Sequence, residues 1–173
     1  MTGATGKGGL RRRGTALLET VMFMPILLFL FIGTVEIARV GWIYFVLSKQ
    51  LYTMARYVGT QQGVNFCDDS DAAVVAAKNL ATRGTTDETN ELILPGLTAE
   101  MLTVRIERYS ADSEDLGECD CSNTGCGISE GGRQPEYIVA SIPDGYPVRL
   151  IIPLIPADPI PLRPRVRIPF GGT

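Results

Sequence analysis

The sequence predicts an α+β fold: a long N-terminal transmembrane helix continuing as an amphipathic helix, a second helix, and a small antiparallel β-sheet. Three observations carry that prediction. Residues 20–35 hold no charge, and the apolar run resumes beyond Glu36 and Arg39 as far as Leu47. A cluster of carboxylates and a hydroxyl at Asp68, Asp69, Ser70 and Asp71 precedes an Ala/Val-rich stretch. From Leu102 onward the apolar period shortens from that of a helix to that of a strand.

The chain has 173 residues, which suits one compact domain plus an appendage. Hydrophobic residues make up 45% of it, but much of that content is concentrated between Val21 and Leu47, and the rest supports one small core. The formal net charge is −3. Lys7, Arg11, Arg12 and Arg13 are the only charged side chains before Glu19, so removing them would take the net side-chain charge to about −7. An acidic domain argues against nucleic acid as a partner, because phosphate binding needs a basic face. Histidine is absent, which excludes Ser-His and Cys-His nucleophile pairs and every His-ligated metal site.

The organisation divides into residues 1–14, 15–62 and 63–173. Residues Met1 to Gly9 are small, polar and glycine-rich, with no expected fold of their own. The GATGKG stretch from Gly3 to Gly8 lacks the spacing of a phosphate loop and follows no strand. A helix over Thr20–Leu47 would be about 42 Å long against a hydrocarbon core of about 30 Å, so membrane lipid is its expected solvent. The arginine cluster abuts its start, while its far flank carries only scattered charge. The positive-inside rule then places the N-terminus in the cytoplasm and the remainder outside.

Beyond the apolar half, Ile43, Leu47, Leu51, Met54 and Val58 recur on one helical face, with Lys49, Thr53, Arg56 and Thr60 opposite. This amphipathic half needs a packing partner, for which the downstream domain is the candidate, and Gly59 and Gly63 are expected stops. The second helix follows Asp71, with Val74, Ala77, Leu80 and Ala81 as its apolar stripe and Gly84 as its end. Strands are expected at Leu102–Glu107, Tyr137–Ile142, Tyr146–Ile152 and Arg165–Phe170. Pro143-Asp144-Gly145 is turn chemistry joining two of them. The prolines from Pro153 to Pro164 make that segment an extended linker or an edge.

The four cysteines, Cys67, Cys119, Cys121 and Cys126, all lie beyond the membrane helix on the side assigned as oxidising, where disulfides are the default. A bridge between Cys119 and Cys121 would be strained. Two pairings remain open: Cys67–Cys119 with Cys121–Cys126, or Cys67–Cys121 with Cys119–Cys126. A four-thiolate zinc site is the rival, but its spacing fits poorly. There is no C-x-x-C for a redox pair. No metal or other cofactor is expected.

Gly14 directly follows the arginine cluster, Glu19 is the fifth residue beyond it, and the apolar run comes next. This arrangement resembles the processing site of class III and type IV prepilins. With Pro25, Gly33, Glu36 and Arg39 further on, it is similar to the TadE-like minor pseudopilins of the tight-adherence (Tad/Flp) pilus. That family's pattern is a Gly, a fifth-position Glu, a Pro in the apolar run, and a Gly-x-x-Glu before an Arg. Thr20 stands where an aromatic often follows the glutamate, and the large outer domain points to the minor class over the short major pilin.

The resemblance implies a pilin-like fold, a cytoplasmic leader ending at Gly14, and cleavage before Thr15 by a prepilin peptidase. Glu19 would then meet the freed amine of a neighbouring subunit's Thr15. It further implies a bacterial inner-membrane protein with a periplasmic domain, acting in pilus assembly and adhesion through helix packing. Its partners would be other major and minor pilins and the inner-membrane pilus assembly platform.

Read without the resemblance, Glu19 costs about 2.5–3.5 kcal/mol if it reaches the bilayer centre unpaired, and uncut it would sit at the interface beside three arginines. Glu36 and Arg39 are spaced to pair locally. Pro25 could kink the helix or loosen it for extraction from the membrane. The alternative to a pilus subunit is an unprocessed single-pass membrane-anchored periplasmic binding module. A secreted enzyme is the weakest reading, since the apolar run is too long for a signal peptide and no acid pair has a defined context.

Overall fold

The computed structural model describes residues 9–110, 114–121, 126, 133–151 and 159–171. Residues 1–8 therefore lie outside it, as do Ile152 at the end of the third expected strand and Pro153 and Pro156 of the expected linker. The fold is α+β, and its residues cluster as two compact units, Met1–Gly41 and Trp42–Thr173.

Helix α1 spans Gly9–Gly59. It starts upstream of the expected boundary and takes in Arg11, Arg12 and Arg13. Leu10 and the arginines are good helix formers, and the one glycine among them, Gly14, costs about 1 kcal/mol without breaking a helix. Pro25 lies inside the helix and leaves the Val21 carbonyl without its helical donor.

In the second unit, Leu47, Leu51, Met54 and Val58 are at most 1% exposed, whereas Lys49, Arg56 and Thr60 lie on the side left open. The expected stripe is thus the buried one, with Ala55 added to it and Ile43 only half-buried. The helix stops at Gly59, where a Cβ would come within 3.2 Å of Ile138 Cδ1. A side chain there would press the last turn against the sheet.

Helix α2 spans Ala72–Arg83. The residues expected to cap it divide the work. Asp71 is the N-cap: its carboxylate accepts from the Ala73 amide at 2.8 Å and the Asn65 amide at 3.0 Å. Asp69 accepts from Lys78 Nζ at 2.9 Å. Asp68 accepts from both the hydroxyl and the amide of Ser70, and these bonds hold its carboxyl below the ordinary carboxylate range, the hydroxyl contributing most. Gly84 ends the helix in the left-handed region at φ 77°, its amide donating to the Leu80 carbonyl.

The buried face of α2 is wider than the predicted stripe. Val74, Ala77 and Ala81 are buried, Leu80 only half so, and Lys78, Asn79 and Thr82 are buried as well. Polar residues are tolerated there because each has a partner: Asp69 for Lys78, the Thr86 carbonyl for Asn79, and the Lys78 carbonyl for Thr82.

Strands β1 (Thr103–Ser110), β2 (Asp115–Glu118), β3 (Tyr137–Ser141), β4 (Tyr146–Val148), β5 (Ile160–Leu162) and β6 (Arg165–Pro169) follow. They form a four-stranded antiparallel sheet in the order β2-β1-β3-β6 and a separate two-stranded ribbon of β4 and β5. The Pro143-Asp144-Gly145 turn therefore does not fold β4 back onto β3. It carries the chain out of the first sheet and into the second, with Gly145 at φ 84°. Gly145 is obligatory twice over, since a Cβ would also lie 2.8 Å from Pro161 Cβ.

Register puts Val104, Ala140 and Val166 in one row and Ile106, Ile138 and Ile168 in the next. This is the sheet's inner face, and it shares the core with the buried stripe of α1, with Phe66 and Val64, and with Leu97 and Leu102. In the ribbon, Pro147 faces Pro161. Neither has an N–H, so theirs is the pair that exchanges no hydrogen bonds, and the ladder loses none.

Two disulfides close the domain: Cys67–Cys121, with Cα atoms 5.5 Å apart, and Cys119–Cys126, at 5.9 Å. This is the second of the two pairings left open by the sequence. The first bridge spans 54 residues and ties the α1–α2 connection to the end of β2, while the second closes a loop of only 7. The segment after β2 is held further by Arg108, whose guanidinium donates to the carbonyls of Cys126 and Arg133. Burial, with the charge of Arg133 added, lowers the pKa of Arg108.

The loop lengths set an expected order of stability. In the chain-entropy account, closing 54 residues is worth about 4 kcal/mol and closing 7 about 2 kcal/mol. Urea unfolding of the double variants Cys67→Ser/Cys121→Ser and Cys119→Ser/Cys126→Ser should show the larger loss in the former. Tyr146 supplies a pH test. Its ring is buried and its hydroxyl donates to the Pro95 carbonyl at 2.7 Å. Burial raises its pKa above 10.0, so its contribution is full below pH 10 and is lost as pH rises through the folded-state pKa. Tyr146→Phe should cost about 1 kcal/mol at pH 7 and lose less stability than the parent on going to strongly alkaline pH. Circular dichroism across that range reads both effects.

Candidate functional site

Two regions carry chemistry beyond packing, one in each unit. In the first, α1 exposes Leu17, Leu18, Val21, Met22, Phe23 and Met24, and the large apolar side chains that follow them to Phe31 are likewise exposed. Water does not tolerate a contiguous apolar surface of that extent. Within Leu17–Gly59 the helix is long and apolar enough to cross a membrane, and it fits a single-pass membrane protein. A helix satisfies its backbone groups internally, as a lipid environment demands.

The candidate residues occupy this helix in order. Gly14 and Thr15 fall where only the helical backbone is described. Glu19, Pro25 and Gly33 are exposed, and nothing lies within 4 Å of where a Gly33 Cβ would stand. Glu36 and Arg39 do meet: Arg39 Nε donates to Glu36 Oε2 at 3.1 Å. Of the candidates with described side chains on this helix, these are the two brought together. A self-paired couple on one helix face lowers the cost of placing either charge at the edge of a bilayer. Glu19 lies 17 residues before Glu36, about 26 Å along the axis. Charge therefore marks both ends of an apolar stretch nearly as long as a hydrocarbon core is thick.

The second region is the outer face of the four-stranded sheet, which no sequence motif marks. The residues that alternate with the core-facing ones on β1, β3 and β6 gather there: Thr103 beside Ser141 and Arg165, Arg105 beside Val139 and Arg167, and Glu107 beside Tyr137. Glu107 is only 7% exposed, and both its oxygens are taken, by Arg165 at 2.6 Å and Arg167 at 2.8 Å. The Arg167 guanidinium also stacks 4.1 Å above the Tyr137 ring. Arg105 lies 3.7 Å from the Glu118 carboxylate and 4.0 Å from that of Asp69.

Beside this network a groove of about 470 Å3 opens between the ends of β1, β3 and β6, lined by Arg105, Arg163, Arg165, Thr103, Ser141 and Glu118 among others. Among the described residues no group of His, Cys, Asp and Glu could hold a metal ion. The signal that could have found this face is the run of arginines at 163, 165 and 167. Their alternation by itself points only to a strand.

Comparison of the chain with family models, with curated proteins and with solved structures finds no match.

Proposed function

We propose that this chain is a minor pseudopilin of a Tad-type pilus, made with a short cytoplasmic leader and cut between Gly14 and Thr15 by a prepilin peptidase. The observation that carries the reading is one of register. A basic cluster at Arg11 to Arg13, a glycine, four residues and Glu19 run directly into an exposed apolar helix. Two further features support it. The helix buries nothing of its own within its apolar half and so offers that surface to lipid or to other helices. Pro25 and the Glu36–Arg39 pair sit on that same helix, at the positions the family pattern expects.

In this reading the role is structural and not catalytic. The mature subunit resides in the bacterial inner membrane with its disulfide-bonded domain in the periplasm, and can pass into the filament. Glu19, stranded where lipid begins, would pair with the Thr15 amine of an adjacent subunit. Other pilins and the inner-membrane assembly platform would hold it through the exposed helix, with Gly33 allowing close approach.

Protein purified from native membranes with an active peptidase should have an intact mass corresponding to a Thr15 N-terminus. A species retaining Met1 would reduce the chain to a tethered periplasmic module. Glu19→Val should leave cleavage largely unchanged while sharply reducing piliation, counted by electron microscopy. Normal piliation in that variant would remove the role given to the carboxylate.

A further inference from the structure

The groove on the outer sheet face is lined by more cationic than anionic side chains. Its lining includes three guanidinium groups and one carboxylate, in a protein of net charge −3. Two of the three are already engaged, Arg165 with Glu107 and Arg105 with Glu118 and Asp69. Arg163 is different. It is exposed at the groove and makes no ion pair or hydrogen bond with any described residue. A guanidinium held at the edge of a concave surface, with its donors unspent, suits bidentate capture of a carboxylate.

The remaining lining narrows the ligand. Thr103 Oγ1 and Ser141 Oγ lie 3.0 Å apart and each can turn to donate or accept. Glu118 accepts hydrogen bonds only, and Val139, on the interior strand β3, adds an apolar contact. A ligand with both hydroxyls and a carboxylate satisfies all of these, and the volume falls within the roughly 300–1,000 Å3 of small-ligand sites.

A peptide fits less well. Strands β1 and β3 are each paired on both sides, β1 with β2 and β3, and β3 with β1 and β6. They offer no main-chain groups to an added strand, so strand addition would use the open border of the edge strand β6 and leave the groove on the sheet face unfilled.

We infer that this groove binds a carboxylate-bearing oligosaccharide, with Arg163 anchoring the carboxylate and Thr103, Ser141 and Glu118 reading the hydroxyls. This binding depends on the sheet alone and is independent of whether the leader is cleaved.

The test is isothermal titration calorimetry on the full disulfide-bonded chain in detergent micelles. Trigalacturonate should bind, with an affinity that falls as salt rises, and neutral maltotriose should not. Arg163→Ala should weaken trigalacturonate binding about tenfold, the loss of one charge-assisted contact. Because the Arg163 guanidinium makes no bond to a described residue, that variant should melt as the parent does. Arg56→Ala, on the exposed face of α1 outside the groove, should bind as the parent does and so controls for general charge.

Failure of trigalacturonate to bind, or an unchanged affinity in Arg163→Ala, would overturn the assignment. So would triglutamate binding as tightly with the same dependence on Arg163, which would make the site one for acidic peptide.

Discussion

Leu47, Leu51, Met54 and Val58 fall on the one face that α1 hides, and the domain is organised around covering them. Each is a large apolar side chain almost wholly withdrawn from water, worth roughly 1.5–3 kcal/mol relative to exposure. The sheet's inner rows, Val104 with Ala140 and Ile106 with Ile138, complete the same core. The close approach at Gly59 against Ile138 shows how little slack this leaves. A helix that is apolar on all sides in its first half and on one side in its second is suited to two environments, lipid and protein.

The opposite face of the same sheet obeys electrostatics instead. Glu107 is almost fully covered, yet it lies under two arginines that neutralise it and satisfy both of its oxygens, the condition under which a buried carboxylate is tolerated. Arg167 contributes twice, through that ion pair and through the face of Tyr137. Arg105 bridges from the sheet to Asp69 at the start of the α2 region, close to the Cys67–Cys121 bridge in sequence. Covalent and ionic ties thus converge on the α1–α2 connection and add to the burial of Val64 and Phe66 there.

Much of this was legible from residues in order. The stripe on α1, the Asp71 cap, the Gly84 stop and the four core-bearing strands follow from periodicity and capping chemistry, which are local. What was not legible depended on pairing at a distance. Strand β2 has an exposed pattern and no alternation to betray it, because its place is set by the ladder to β1 alone. Strand β5 hides among prolines that usually argue against a strand. The Pro143–Gly145 turn reads as a hairpin, and only the crowding of Gly145 against Pro161 shows that the chain changes sheets there. The burial of Lys78 and Glu107 is announced by no local pattern, because their partners, Asp69 and the two arginines, lie elsewhere in the chain. The arginine groove is hidden for a related reason, since its members are scattered along the chain and none forms a motif.

The facing prolines of the β4–β5 ribbon have an effect reaching past their own pair. In an antiparallel ladder, the residues of a pair that exchanges no hydrogen bonds turn their amides and carbonyls toward the flanks. Pro147 and Pro161 therefore each delete the donor that a third strand would seek, one on either border. Each border of the ribbon thus lacks its outward donor, which weakens it as a template for runaway strand addition.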